Sequence, residues 1–145
     1  MITTKGRYAL RVMVDLAEHS GEGLIPLKDI AKRQEISKKY LEIIARELVS
    51  GGLICGVSGK GGGYKLVREP SEYNLGEILE HMEGTLAPVA CLECGADPCS
   101  RKDVCKTLPV WREYDALIRG FFYGKTLGSL LNEAAENRHA DINPV

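Results

Sequence analysis

The stretch LICGVSGKGGGYKLV, residues 53–67, decides the predicted fold. Residues 53–57 are mostly apolar and predict a strand, a glycine-rich turn follows, and residues 64–67 predict a returning strand. A nucleotide-binding phosphate loop needs a strand that leads into a helix, whereas a second strand follows here. The stretch therefore predicts a β-hairpin, whose glycines allow the backbone to approach DNA phosphates closely.

Amphipathic helices are predicted before this hairpin. Apolar residues spaced by threes and fours predict a helix over residues 5–19, with Asp15 on the face left for solvent or a ligand. A brief second helix follows over residues 27–34. Ser37 is a suitable N-cap for a third helix, which Gly51 ends. Two helices joined by a tight turn and followed by a hairpin predict a winged helix-turn-helix DNA-binding domain.

The rest of the chain is predicted to be helical around a cysteine-rich loop, so the fold class is mainly α with a small β-hairpin wing. The predicted organisation is a winged helix-turn-helix domain at residues 1–84, a cysteine-rich loop at 85–107, a dimerisation helix and a C-terminal helix at 108–136, and a disordered tail at 137–145.

The formal net charge of −1 conceals an uneven distribution. Residues 1–68 contain twelve Lys or Arg and seven Asp or Glu, a net +5, and residues 69–145 contain seven and thirteen, a net −6. A basic front half indicates a polyanionic partner such as double-stranded DNA, although chance clustering on solvated faces would look the same. No apolar signal region or membrane span is present, which predicts a cytoplasmic protein without a membrane partner.

Four of the five cysteines lie in the segment CLECGADPCSRKDVC, residues 91–105, among residues that favour turns. Thiolate sulfur binds Zn(II), Cu(I) and the iron of iron–sulfur centres strongly. In a reducing compartment, clustered cysteines are more typical of metal ligands or sensors than of disulfides. The loop predicts a metal or redox site, and a structural zinc site or a thiol–disulfide sensor is the alternative to an iron–sulfur centre.

A helix predicted from Leu108 onward carries a broad apolar face. Packing onto the winged domain is one explanation, and a symmetric homodimer contact is the other. Two-fold symmetry would place two recognition helices on successive turns of the major groove of a palindromic operator. The predicted interface residues are Trp111, Tyr114, Leu117, Ile118, Phe121 and Phe122.

The segments KGRYAL (residues 5–10), ISKKYLE (36–42) and GGGY (61–64) precede the cysteine loop in this order. Their combination resembles the Rrf2 family of bacterial winged-helix repressors, which includes regulators of iron–sulfur cluster assembly, nitric-oxide sensors and regulators of cysteine metabolism. The resemblance implies a homodimer with a long dimerising helix. It also implies an iron–sulfur cluster held by three cysteines, of the 2Fe–2S type or, as the alternative, the 4Fe–4S type.

The cluster ligands that the resemblance implies are Cys91, Cys99 and Cys105. Cys94 is an addition, which would either substitute for Cys91 or supply a fourth ligand. The family's histidine ligand is replaced here by Leu108, and an acidic ligand found in other members is replaced by Arg7. The identity of the fourth ligand therefore stays open, and a site that lacks one protein thiolate exposes more labile iron.

The residues expected to contact DNA are Arg7, Lys28, Ser37, Lys38, Lys39, Tyr40, Glu42, Arg46, Ser58, Lys60 and Gly61. Lys60 can meet a phosphate but lacks the planar fork of arginine. Glu42 can accept a hydrogen bond from cytosine N4, although a solvated helix charge is also consistent with it. Tyr8 and Tyr40 are expected to pack together.

The sequence offers no arrangement of nucleophile, base and orienting residue, so an enzyme is not predicted. The predicted function is a DNA-binding transcriptional repressor that senses an iron–sulfur cluster and controls genes of cluster assembly. Two alternatives remain. One is a repressor of the same family that senses nitric oxide, redox state or cysteine metabolism, and the other is a zinc or thiol structural module.

Overall fold

A computed structural model describes residues 1–142 of the chain and the side chains of residues 1–138. Within these residues the fold consists of six α-helices and one antiparallel hairpin, which confirms the predicted fold class. The helices are α1 (Thr4–Glu18), α2 (Leu27–Gln34), α3 (Lys38–Ser50), α4 (Leu75–Glu83), α5 (Leu108–Tyr123) and α6 (Leu127–Ile142), and the strands are β1 (Ile54–Val57) and β2 (Gly63–Leu66). None of the described helices is long and apolar enough to cross a membrane.

The helix-turn-helix pair is formed by α2 and α3. The Ser37 hydroxyl accepts a hydrogen bond of 3.2 Å from the backbone N–H of Tyr40, so the predicted N-cap of α3 is confirmed. Between the two helices, Glu35 adopts a left-handed backbone conformation with φ at 53°. This conformation ends α2 and turns the chain within the three residues before α3.

The wing is the hairpin β1–β2, in which Ile54 pairs with Leu66 and Val57 with Gly63. Ile25 adds a third short segment, because its N–H donates to the Tyr64 carbonyl at 2.8 Å and its carbonyl accepts from the Tyr64 N–H at 2.9 Å. A side chain at Gly63 would collide with the Ile25 carbonyl. Glycine therefore allows the wing to lie directly against the chain that enters α2.

The hydrophobic core lies between α1, α3, α4 and the base of the wing. Tyr73 is fully buried, and its hydroxyl donates to the Leu53 carbonyl at 2.7 Å. The same oxygen accepts from the backbone N–H groups of Val67 and Arg68, at 2.9 and 3.1 Å. This side chain joins both strands of the wing to the core. The largest fully buried side chains are Val12, Met13, Leu16, Ile30, Leu41, Ile44, Leu48, Leu53, Tyr73, Ile78, Leu79 and Leu127.

The prediction that Asp15 faces solvent or a ligand is wrong. Only 1% of its surface is exposed, and its carboxylate accepts hydrogen bonds from Arg33 and Gln34 at the end of α2. A carboxylate tolerates burial when a cation and further donors compensate its charge. The pattern of α1 alone could not reveal partners on another helix.

The C-terminal helix returns to the winged domain. Leu127 is fully buried, and its N–H donates to the Tyr73 carbonyl at 3.0 Å. The prediction of a disordered tail from residue 137 is wrong for residues 137–142, because α6 continues to Ile142. Those residues contain no glycine or proline, and Pro144 follows only beyond them. Residues 143–145 of the expected tail lie outside the described residues.

Candidate nucleic-acid interface and metal centre

A groove of about 600 Å³ lies between α3 and the wing. Five of the residues predicted to contact DNA line it, namely Lys28, Lys38, Glu42, Arg46 and Ser58. Val49, Val57 and Tyr64 also line the groove, although they were not among the predicted DNA residues. Val49 and Val57 are about half exposed, at 41% and 56%. Val49 follows the buried Ala45 at a spacing of four residues, so periodicity places it on the core face and the sequence carries no signal of its exposure.

The groove carries an excess of positive charge, because Lys28, Lys38 and Arg46 outnumber Glu42. None of these four side chains is engaged in an ion pair with another residue of the range 1–138. Their charges are therefore directed to solvent. This arrangement suits a phosphate backbone, which binds arrays of Lys and Arg through its negative charge.

The other predicted DNA residues lie outside this groove. Lys39 and Lys60 are exposed on α3 and on the tip of the wing, and Gly61 is in the turn with φ at 78°. The Arg7 guanidinium donates to the Thr4 hydroxyl at 3.1 Å within α1.

Two more of the predicted DNA residues have roles inside the domain. Ser37 serves as the cap of α3. The Tyr40 ring packs edge-on against Tyr8 with 5.8 Å between centroids, as expected for that pair.

Three thiols of the cysteine loop, those of Cys91, Cys99 and Cys105, line one cavity of about 270 Å³. Cys94 is exposed and does not contribute to the lining. Lys102 from the loop lies in the same wall. Arg112 and Asp97 line the cavity as well. The potential ligands are therefore three cysteines and one carboxylate next to two cations, and thiolate sulfur suits a soft metal centre.

Cys105 is the cysteine whose environment most favours the thiolate. Its Sγ lies 3.5 Å from the Thr107 hydroxyl, just before α5 begins. Hydrogen bonds from that hydroxyl, and then from the backbone N–H groups of Thr107 and Leu108, lower the pKa of the Cys105 thiol, and positively charged Arg101 adds to the effect. A thiolate is the form that binds metals, so this end of the cavity suits a ligand.

The three cysteines share a cavity, but their sulfur atoms are not arranged around one metal position. All five cysteines are free thiols, and within the described part of the chain no three His, Cys, Asp or Glu side chains already stand in a coordinating arrangement. Leu108, at the position where the resemblance would place a histidine ligand, contributes an aliphatic side chain to the cavity wall. The residues therefore fit a sulfur-bound metal by donor chemistry, and coordination requires the loop to draw the three sulfurs together.

An apolar face runs along α5. Trp111, Tyr114, Leu117 and Phe121 are between 37% and 66% exposed, whereas Ile118 and Phe122 are half-buried. Phe122 packs against the core, so part of this apolar face contacts the winged domain, which was one of the two explanations offered for it. Met1, Ile2, Leu86 and Pro88 close the other side of an apolar groove of about 1130 Å³.

A polar junction that was not predicted from the sequence holds α5 against α4. The Arg119 guanidinium donates to Glu80 at 2.9 Å, and the Tyr123 hydroxyl also donates to this carboxylate. The hydrogen bond from Tyr123 and the charge and hydrogen bond of Arg119 lower the pKa of Glu80. Gly76 leaves room for the Tyr123 ring, because a Cβ there would collide with it.

The last residue of α4, three positions after Glu80, contacts the start of α1. Glu83 accepts hydrogen bonds of 2.9 Å from both the N–H and the hydroxyl of Thr3. A negative charge at a helix N-terminus is favourable, and α1 has no acidic residue of its own in its first turn. Through these contacts α4 joins α5 to the start of α1.

Comparison with known proteins gives a consistent result. A family model described as "Rrf2: Iron-dependent Transcriptional regulator" matches residues 2–133. The HTH-type transcriptional regulator IscR of Serratia proteamaculans (strain 568) is 40% identical over 131 residues, which is 90% of this chain and 79% of that protein.

Two solved structures share the fold and about a third of the sequence. T. potens IscR superposes with a TM-score of 0.75 at 34% identity, over 94% of this chain and 90% of that chain. CymR, the global cysteine regulator of B. subtilis, superposes with a TM-score of 0.74 at 34% identity, over 92% of this chain and 97% of that chain.

Proposed function

We propose that this protein is a repressor whose affinity for DNA depends on an iron–sulfur cluster in the cysteine loop. The chain belongs to the Rrf2 family of DNA-binding transcriptional regulators and is not an enzyme. The observation that carries the proposal is the single cavity lined by Cys91, Cys99 and Cys105. The family's description as iron-dependent supports it, and genes of iron–sulfur cluster assembly are the proposed targets.

The DNA-binding part of the proposal rests on α3 and the wing. α3 would enter the major groove, and the wing would lie along the adjacent backbone. We assign phosphate contacts to Lys28 and Lys38, which line the groove, and to Lys60, which is exposed on the tip of the wing. Glu42 would accept a hydrogen bond from cytosine N4, since its carboxylate faces the same groove.

We assign α5 to a homodimer contact. Six large apolar side chains of α5 are exposed, Trp111, Tyr114, Leu117 and Phe121 among them, and burying these four against a second copy would remove that surface from water. An isologous contact of this kind places two identical DNA-binding domains on one palindromic operator. The residues assigned to the interface are Trp111, Tyr114, Leu117, Ile118, Phe121 and Phe122.

The residues that would hold the cluster are Cys91, Cys99 and Cys105. A cluster bound there would supply an iron centre that is sensitive to iron supply and to oxidants. Lys102 would offset part of the negative charge of the bound thiolates, because it lies in the wall of the same cavity. Cys91, Cys94 and Cys99 are all exposed, but Cys94 alone of these does not line the cavity, so we place it outside the ligand set.

Helix α5 would couple cluster binding in the cysteine loop to the position of the DNA-binding helices. Cys105 lies just before the first turn of α5, so drawing the thiols together moves that turn. The Arg119–Glu80 pair then passes the displacement to α4. In a dimer, the same displacement changes the spacing of the two recognition helices.

The direct test is chemical analysis of the protein purified without oxygen. Bound iron and acid-labile sulfide, with visible absorption that disappears in Cys99→Ala, would support the proposal. A colourless protein that takes up neither element after reconstitution would refute it. Mössbauer spectra of the coloured protein would distinguish the 2Fe–2S from the 4Fe–4S cluster.

A structural zinc or thiol-sensing role is the second candidate. The two-residue spacing between Cys91 and Cys94 favours it, because pairs of this spacing occur in zinc sites and in dithiol sensors. Stoichiometric, tightly bound zinc with DNA affinity that does not respond to iron would support this candidate over the cluster.

A further inference from the structure

The recognition helix α3 presents one apolar side chain in the middle of its outward face. Ile43 is 43% exposed, whereas Leu41, two residues before it, and Ile44, the next residue, are fully buried. A helix turns by about 100° per residue, so Ile43 shares its face with Lys39, four residues before, and Arg46, three residues after. Both of those neighbours are exposed cations.

The exposure of Ile43 needs an explanation, because the surrounding surface is positively charged and suits a polyanion. A single exposed isoleucine on an ordinary surface needs no explanation. Ile43, however, is flanked by cations, and Glu42 beside it lines the groove towards the wing. Its side chain is outside the hydrophobic core cluster, so core packing does not account for it.

We propose that Ile43 recognises the C5 methyl group of a thymine in the major groove, and so selects thymine over cytosine at one position of each half-site. This inference rests on the proposed entry of α3 into the major groove. The thymine methyl is the one apolar group that a base pair presents in that groove. Ile43 has no donor or acceptor, so it would leave the polar edge of any other base without a partner.

Glu42 and Ile43 would act as a pair with opposite preferences. A carboxylate accepts a hydrogen bond from cytosine N4, whereas a branched aliphatic side chain contacts the thymine methyl. Because they are consecutive residues on one helix, they would reach neighbouring base pairs. Lys39 and Arg46 would hold the helix against the phosphates on either side without reading sequence.

The test removes only the C5 methyl group of a thymine in the DNA and leaves the hydrogen-bonding groups of the base unchanged. The full-length wild-type protein first selects duplexes from a random pool, and each thymine of the selected duplex is then replaced by deoxyuridine. We expect a single replacement, at one position in either half-site, to weaken wild-type binding by about fourfold, the factor that corresponds to burial of one methyl-sized group. Ile43→Ala should bind the thymine and deoxyuridine duplexes equally, and its thermal midpoint should match that of the wild type because the side chain is half exposed.

Val67→Ala is the matched control, because Val67 is 48% exposed but lies outside α3. It should keep the wild-type response to deoxyuridine. Wild-type binding that is indifferent to every methyl group, or an Ile43→Ala variant that keeps the full response, would overturn the assignment of Ile43 while leaving DNA binding intact. A wild-type protein that enriches no sequence at all would overturn both this inference and the proposed entry of α3 into the major groove.

Discussion

The Arg33 guanidinium of α2 donates two hydrogen bonds to the buried carboxylate of Asp15 on α1, at 3.0 and 2.7 Å. The Gln34 side-chain amide donates a third at 3.0 Å, and Arg11 of α1 donates to both the side chain and the backbone carbonyl of Gln34. These bonds fix the first helix of the helix-turn-helix pair against α1. The orientation of α2, and with it α3, therefore depends on one acidic side chain.

Replacing Asp15 by Asn should destabilise the fold by about 2 kcal/mol at neutral pH, the range for hydrogen bonds to charged groups. Burial alone would raise the pKa of Asp15, but the hydrogen bonds from Arg33 and Gln34 and the charge of Arg33 outweigh it, so the pKa is lowered. The stabilisation is then complete above the ordinary aspartate pKa of about 3.9 and is lost as the pH falls through the lowered value.

Urea unfolding of the wild type and of Asp15→Asn between about pH 7 and pH 2 checks this prediction. The difference between their unfolding free energies should narrow only below about pH 4. Glu18→Gln is the control, since Glu18 is exposed on the same helix. A difference between wild type and Asp15→Asn that is constant across the whole pH range would contradict the assigned ion pair.

Removing a cation from the DNA face should weaken binding to all duplexes alike. Lys38→Ala or Lys60→Ala should lower affinity and reduce the slope of log K against log salt by about 0.9 for each phosphate that the variant no longer neutralises. Fluorescence anisotropy at several salt concentrations measures both quantities. Arg138→Ala, on α6, should leave the slope unchanged. An unaltered slope in the lysine variants would show that these side chains do not meet phosphates.

The cysteines should divide into two groups by iron retention. Cys99→Ala and Cys105→Ala should lose the bound iron while remaining folded, because both thiols line the cavity. Cys94→Ala should retain it, and so should Cys55→Ala, whose thiol lies in β1. Iron and sulfide per chain after anaerobic reconstitution give the answer. Loss of iron in Cys94→Ala would place that thiol in the ligand set.

A charge on the apolar face of α5 should separate the proposed dimer. Leu117 is 66% exposed in the single chain, so glutamate is tolerated there until a second copy buries it. Sedimentation measurements should find a dimer for the wild type and a monomer for Leu117→Glu. Val67→Glu, at another exposed apolar position, should remain dimeric. If both variants sediment as the wild type does, the α5 face is not the interface.

Much of this fold is determined by local patterns. The Ser37 cap, the glycine turn before Gly63 and the apolar spacing of α1 each depend on residues close in sequence, and these predictions are confirmed. The partners of Asp15 and Tyr73 could not be found in this way. Both side chains are satisfied by groups far along the chain, and periodicity measures only which face of a helix is apolar.

The candidate site was predictable in composition but not in arrangement. The cysteine spacing indicated a soft metal site, yet only the folded loop separates Cys94 from the three thiols that share a cavity. The Glu80–Arg119 junction was not predicted either, because charged residues at helical spacing look like solvated positions in the sequence.

We have proposed that metal binding by the cysteine loop controls the affinity of the winged domain for DNA. The most direct measurement is the affinity of one protein preparation for one selected duplex, before and after removal of its iron without oxygen, at a fixed salt concentration. We expect the two affinities to differ by about tenfold or more, which is an ordinary size for an allosteric coupling, and Cys99→Ala to behave like the iron-free protein. Equal affinity of the two forms for every selected duplex would contradict it.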